Sequence, residues 1–294
     1  MWYNGKSILY EDYDMRKLYV SDLDGTLLNQ RGDISATTAE KLNICIEEGM
    51  SFTINTARTP ATTFPIMESV NLNLPYAMMN GVLIYNPVQQ EYLQVHYFTP
   101  ETAMVLLGII KLHKLQCFLY TLEQGNLCTY YDSVESRSLN KFRNERIMKY
   151  DKKFTEVDDL SICANRGVIY FCLRERKELL EGLYRDLRAV RGANAVFYQD
   201  VYNEEWMYLE ISSDKASKSA ALNTIKEWGQ FDYLIGFGDS ENDREMFQVC
   251  NETYAVSNAV PEIQDLASGI IPGNEDDGVA RFMYKTLRDS KTGL

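Results

Sequence analysis

The residues best able to do chemistry fall into two acidic groups far apart in the chain. Asp22 and Asp24 flank Leu23 in KLYVSDLDGTLL, residues 17–28, and Asp239, Glu241 and Asp243 surround Asn242 in GDSENDREM, residues 238–246. Oxygen donors packed this densely suit a hard divalent cation such as Mg2+. A period of two places Asp22 and Asp24 on one side of a strand end, where they repel unless a cation or a shared proton compensates. Taken alone, the first group also fits a surface Asp-x-Asp-Gly turn, and the second fits acids favoured by a helix dipole. Two further places carry suitable groups. Thr56 and Arg58 lie where a strand gives way to a helix, so a hydroxyl and free amides there can grip an oxyanion, unless Thr56 simply caps the helix. Lys215 and Lys218 open another helix against the preference of its dipole for anions, which points to a negative partner beyond the helix end or to two solvated side chains.

These groups need elements to hold them. Leu18 to Val20 form a short apolar run of the kind a buried parallel strand uses, and Gly25-Thr26 breaks it. A helix is expected from Ala36 to Glu48, stopped by Gly49, followed by a buried strand within Met50 to Pro60. Tyr76 to Tyr85 reads as a third strand with Asn80-Gly81 in its middle. A flap-like hairpin is expected after Asn86-Pro87, leading to a strand from Glu91 to Tyr97. From Thr99 to Met207 the pattern becomes that of an α+β insert with an antiparallel sheet. Its helices are expected at 100–115, 134–149 and 175–191. Its strands are expected at 116–122, 127–131, 167–173 and 194–199. The parallel pattern is expected to return with Trp206 to Ile211, and Tyr233 to Phe237 then leads into the second acidic group. In open α/β sheets ligands bind at the carboxyl ends of the strands, where all four groups would converge.

Composition narrows the partners. A chain of 294 residues is long enough for two domains, and its net charge of −12 argues against binding nucleic acid or an anionic membrane through bulk charge. It does not exclude an anionic substrate, because a local cation and backbone amides can reverse the sign within one pocket. Cys45, Cys117, Cys128, Cys163, Cys172 and Cys250 form no C-x-x-C pair, which suggests reduced thiols in a cytoplasmic protein. The two histidines, His96 and His113, lie near none of the four groups, so histidine-based mechanisms have little to build on. The longest apolar run, 103–110, is too short to span a bilayer. Residues 1–14 are expected to be an extension outside the core fold.

With these residues in view the chain resembles the haloacid dehalogenase (HAD) superfamily, and specifically its Cof-like branch of phosphatases with a type IIB cap. The matching segments, in the family's order, are DLDGTLL (22–28), NTAR (55–58), MNGVLIYN (79–86), SDKASK (213–218), GDSENDREM (238–246), SNA (257–259) and EDDGVA (275–280). The resemblance implies a Rossmann-like parallel-sheet core, residues 15–86 and 208–294, with an inserted α+β cap of the C2B type over 87–207. It implies that Asp22 attacks phosphorus to form an aspartyl-phosphate. Asp24 would protonate the leaving alcohol and then deprotonate water, while Lys218 keeps Asp22 anionic. The implied Mg2+ ligands are the Asp22 carboxylate, the Asp24 carbonyl and Asp239, with Asp243 ligating directly or through water. Thr56 and amides near Gly25 would bind phosphate, Asn242 would orient the lysine or the phosphate, and Arg58, Asn80 and Gly81 would lie on the substrate side. Lys218 is preferred to Lys215 because its spacing after Glu210-Ile211 matches the family's lysine. The expected substrate is a small phosphorylated metabolite, with sugar phosphates first and nucleotide or cofactor phosphates behind them. A phosphosugar mutase of the same superfamily and a non-catalytic phosphometabolite sensor are the alternatives. Ala57 and Ser219 replace glycines usual in the family.

Overall fold

Uninterrupted apolar runs, which only a sheet covered on both faces can bury, build the first layer. The computed structural model describes residues 15–200 and 203–292. The expected extension at 1–14 lies outside the described residues. Five parallel strands stand in the order Gly269–Ile271, Glu252–Val256, Tyr233–Gly238, Lys17–Ser21, Ser51–Ile54. Leu18, Tyr19 and Val20 are buried, as an interior strand flanked on both sides by Tyr233–Gly238 and Ser51–Ile54 requires. The strand therefore delivers its carboxyl end beside that of the parallel strand Tyr233–Gly238. Helix Ala36–Glu47 packs on Gly278–Thr292, and Lys218–Gly229 packs on Arg244–Val249. The expected first helix and the strands within Met50 to Pro60 and at Tyr233 to Phe237 are thus present, with ends shifted by a few residues.

The hairpin expected after Asn86-Pro87 is present, joining Leu83–Asn86 to Glu91–Val95, but the single strand expected over Tyr76 to Tyr85 is not. Tyr76–Met78 and Leu83–Asn86 are separate strands that pair antiparallel, and Glu91–Val95 adds to the second. The chain reverses because Met79, Asn80 and Gly81 all take positive φ, at 53°, 54° and 87°. Asn80-Gly81 therefore makes the turn that this dipeptide favours. The apolar residues on both sides are buried by the core, and in the sequence they read as one continuous strand.

The insert forms a six-stranded sheet in the order Ala193–Gln199, Met207–Ser213, Val168–Glu175, Phe118–Glu123, Asn126–Tyr131, Thr155–Glu156. All neighbours are antiparallel except the last pair. One face carries helices Pro100–Leu112 and Lys177–Leu187 over a separate apolar core that includes Leu119, Phe171, Leu180 and Leu209. At roughly 1.5–3 kcal/mol for each fully buried large apolar side chain, that core lets the sheet hold its own shape. The opposite face, with Phe118, Tyr120, Tyr170 and Cys172, joins the cluster of the parallel domain.

Met207–Ser213 corrects the expected return at Trp206 to Ile211. This strand lies inside the antiparallel sheet between Ala193–Gln199 and Val168–Glu175. The boundary expected at 207 therefore falls before the insert's last strand, and the parallel sheet resumes only at Tyr233. An apolar strand buried on both faces reads the same in either kind of sheet.

Candidate active site

The strand Lys17–Ser21 gives way to a tight turn in which the Leu23 carbonyl accepts from the amides of Thr26, Leu27 and Leu28. Leu23 is fully buried and pins this turn, so the two acids around it are aimed by the fold rather than by solvent. Gly25 has φ +78°, and a Cβ there would stand 2.3 Å from Asp239 Oδ2. Only glycine lets the first acidic loop approach the second so closely.

Asp22 and Lys218 meet in the interior. Lys218 opens the helix Lys218–Gly229, which Ser217 caps by accepting from the Ala220 amide. Its ammonium donates to Asp22 Oδ1 at 2.5 Å and to Asp243 Oδ1 at 2.7 Å, with the lysine side chain only 2% exposed. Asp243 is itself locked, since its Oδ2 accepts from the amides of Asp239 and Ser240. Asp239 Oδ1 accepts from Thr26 Oγ1 at 2.9 Å. Lys215, by contrast, is exposed.

Carboxylate oxygens of Asp22, Asp239 and Asp243 lie within 4.8 Å of one another, all three residues buried. Burial pushes the Asp22 carboxyl up to about 7, against the attraction of Lys218 and with the repulsion of Asp243 and Asp24. Burial also carries Asp239 well above the usual carboxylate range, and the charges of Asp243 and Asp22 add to the rise. Lys218 moves upward, because Asp22 and Asp243 outweigh the opposing effect of its burial. One ammonium thus faces three buried acids, and this oxygen-rich excess of negative charge fits a hard divalent cation.

Asp24 takes a different partner. Arg58 holds it bidentately, Nε to Oδ2 at 2.7 Å and Nη2 to Oδ1 at 2.6 Å. Arg58 Nη1 also donates to the Tyr150 hydroxyl, on the last residue of the insert helix Arg137–Tyr150. Thr56 does not cap the following helix, whose N-cap is Thr59. Its buried hydroxyl accepts from the Arg58 amide. Ala57 is not among the residues with positive φ, so a side chain in place of the family's glycine introduces no backbone strain there. Ser219 likewise sits without strain in the first turn of its helix.

Three expected residues serve other contacts. Asn242 accepts from Ser240 Oγ, and Asp243 rather than Asn242 orients the lysine. Asn80 donates to Glu210 Oε2 at 3.0 Å and to the Tyr170 hydroxyl at 3.3 Å, joining the core turn to the insert sheet. Gly81 brings its loop against the lysine helix, where a Cβ would stand 2.2 Å from the Ser217 carbonyl oxygen.

Sequence reasoning missed several supports. Thr26, inside DLDGT, braces Asp239, while Asn258, inside SNA, donates to the Gly25 carbonyl at 2.8 Å. Both lie in segments that stand out in the sequence, which is the signal that could have found them. Asn55 donates to the Lys218 carbonyl at 2.7 Å. Tyr150 and Glu210 lie in no such segment, and only the fold brings them here.

Comparisons with known proteins agree with this geometry. A family model described as haloacid dehalogenase-like hydrolase matches residues 19–283. The 5-amino-6-(5-phospho-D-ribitylamino)uracil phosphatase YitU of Bacillus subtilis is 22% identical over 276 residues, covering 90% of this chain and 96% of its own. The pyridoxal phosphate phosphatase YbhA of Escherichia coli is 22% identical over 277 residues, covering 90% of this chain and 97% of its own. The crystal structure of a haloacid dehalogenase-like hydrolase from Bacteroides thetaiotaomicron superposes with a TM-score of 0.77 at 21% identity, covering 92% of this chain and 99% of that one.

Proposed function

Since this chain belongs to the haloacid dehalogenase-like hydrolases, in their Cof-like branch, we propose that it hydrolyses small phosphate monoesters with the help of Mg2+, through a phosphoryl group carried on Asp22. The observation that carries this reading is the Lys218 ammonium between Asp22 and Asp243, with Asp239 completing a buried acidic triad. A site built only to bind phosphate gains nothing from three buried carboxylates facing the anion.

Asp22 is the nucleophile. One of its oxygens is held by Lys218, and the other accepts no hydrogen bond among the described residues, so a lone pair is free for phosphorus. Asp22, Asp239 and Asp243, with the Asp24 carbonyl, would hold Mg2+. When bound, the ion neutralises charge on the transferring phosphoryl group and on the carboxylates around it. Thr56 accepts from the Arg58 amide and retains its hydroxyl proton for a phosphate oxygen. Asp24 donates a proton to the leaving oxygen and then takes one from the water that cleaves the acyl phosphate. Both Asp24 oxygens are engaged by Arg58, so substrate must draw Arg58 away before Asp24 carries that proton. The Tyr150 contact of Arg58 makes the insert a cap whose position is coupled to this step, and closure excludes bulk water.

Sugar phosphates are the first substrate class. YitU and YbhA, by their names, act on phosphorylated metabolites, and the tyrosine hydroxyls of the insert suit hydroxylated leaving groups. The test is a panel of sugar, nucleotide and cofactor phosphates assayed for free phosphate with Mg2+ or with chelator. Chelator-sensitive phosphate release is expected. Isomerised sugar phosphate without release would assign a mutase, and tight binding without turnover would assign a sensor.

A further inference from the structure

The turn that ties the insert to Arg58 also carries a charge that the chemistry at Asp22 does not use. Helix Arg137–Tyr150 ends in Tyr150, the Arg58 partner, and Asp151 then takes a left-handed conformation at φ 49°. That turn sends Lys152 back toward the sheet, with its amide on the Arg146 carbonyl. Lys152 is 7% exposed. Its ammonium donates to the Tyr120 hydroxyl at 3.3 Å and lies 4.4 Å from the Tyr120 ring centroid and 5.1 Å from that of Phe154. Among the described residues no carboxylate forms an ion pair with it.

The surroundings add no compensating anion. Burial, reinforced by the like charge of Arg146, lowers the Lys152 ammonium to about 7. Glu210 is a buried acid two strands away from Tyr120, and its hydrogen bonds run to Tyr170, Tyr198 and Asn80. A position needed only for packing would hold an apolar side chain, because an ammonium taken out of water without a counter-charge is costly. The side chain is nonetheless placed on the face that meets the core. Tyr120 stands beside Tyr170 across neighbouring strands, and the Tyr170 hydroxyl accepts from Asn80 of the core turn. A row of hydroxyls therefore runs from the core turn to a buried amine that a nearby anion would hold in its charged form.

We propose that Lys152 is a specificity-determining residue that receives a second anionic group, a carboxylate or a further phosphate, on the leaving group of the substrate. The inference rests on the phosphatase reading of the Asp22 site and narrows its substrate class to hydroxylated phosphate esters with an acidic distal end. That anion would supply the missing counter-charge, with the Tyr120 and Tyr170 hydroxyls lying between Lys152 and the core turn at Asn80.

Two matched pairs of esters test it. Glucose 6-phosphate against 6-phosphogluconate adds a carboxylate, and fructose 6-phosphate against fructose 1,6-bisphosphate adds a phosphate. The wild type is expected to favour the doubly anionic member of at least one pair by about 10- to 100-fold in kcat/KM, the range of a charge-assisted contact. Which pair shows the preference identifies the anion. Lys152→Met and Lys152→Gln should abolish the preference by raising KM for the doubly anionic ester alone, while Lys152→Arg keeps it. Unchanged turnover of the neutral-leaving-group esters reports that the variants fold. Absence of preference in the wild type, or equal loss on both members in Lys152→Met and Lys152→Gln, overturns the inference. If p-nitrophenyl phosphate is still hydrolysed in that case, the phosphatase reading stands. Failure to hydrolyse p-nitrophenyl phosphate or any of the four esters would overturn both.

Discussion

Replacing Lys218 by Met keeps the length of the side chain and removes its charge, leaving Asp22, Asp239 and Asp243 buried without their ammonium. Breaking a buried charge cluster in this way costs about 3–5 kcal/mol. For 294 residues that corresponds to a fall of roughly 5–8 °C in melting temperature. The loss should depend on pH. Lys218 opposes the upward shift of Asp22, so without it the folded-state value moves further above the usual 3.8. A carboxyl whose folded value is raised binds more protons in the native state than in the unfolded state, and stability then falls as pH rises between the two values. The deficit of Lys218→Met against wild type should therefore be small at acid pH, where Asp22 is protonated in both proteins, and grow above about pH 7, where the wild-type carboxyl ionises and that of the variant does not. Mg2+ should restore part of it at pH 8, because a cation bound only by the folded chain stabilises that state. Thermal denaturation at pH 4.5 and pH 8, with chelator and with Mg2+, measures all four conditions. Equal melting temperatures for variant and wild type at pH 8 in chelator would refute the reasoning. Turnover of any good substrate should fall about 10²- to 10³-fold, the usual cost of losing a preorganised charge at a reacting centre.

Two other perturbations isolate supporting contacts. Thr26→Val removes the hydrogen bond to Asp239 and should weaken Mg2+ activation by roughly 10- to 100-fold, with the global fold intact by circular dichroism. Arg58→Met removes the two guanidinium hydrogen bonds to Asp24 and cuts the link to Tyr150. It should lower kcat/KM by about 10- to 100-fold through lost orientation, and a kcat/KM unchanged across the pH profile would exclude a role for that ion pair.

How much of this was legible in the sequence depended on range. DLDGTLL and GDSENDREM are local, so the residue types and their spacing already announced where acids would cluster. Lys218 was separable from Lys215 only through the spacing of a resemblance, and the fold gives the physical reason: one is buried against two acids and the other is exposed. The turn at Asn80-Gly81 was hidden by buried apolar neighbours that imitate a continuous strand. Trp206 to Ile211 reads as a strand of the parallel sheet, but strand pairing is decided by partners far away in sequence, and Met207–Ser213 joins the antiparallel one. Tyr150 and Lys152 carry no spacing signal, since their neighbours at Arg58 and Tyr120 lie 92 and 32 residues away; Glu210 marks the spacing to Lys218, but its contact with Asn80, 130 residues away, is not legible. Only the closed-up fold makes them part of one surface.

The most direct measurement is the chemical state of Asp22 during turnover. Acid quench of the working protein with a hydrolysed phosphate ester, borohydride reduction and peptide mass mapping should find homoserine at position 22 and at no other aspartate. Homoserine elsewhere, or rapid turnover with residue 22 unmodified and Asp22→Asn equally active, would contradict a phosphoryl group passing through this carboxylate.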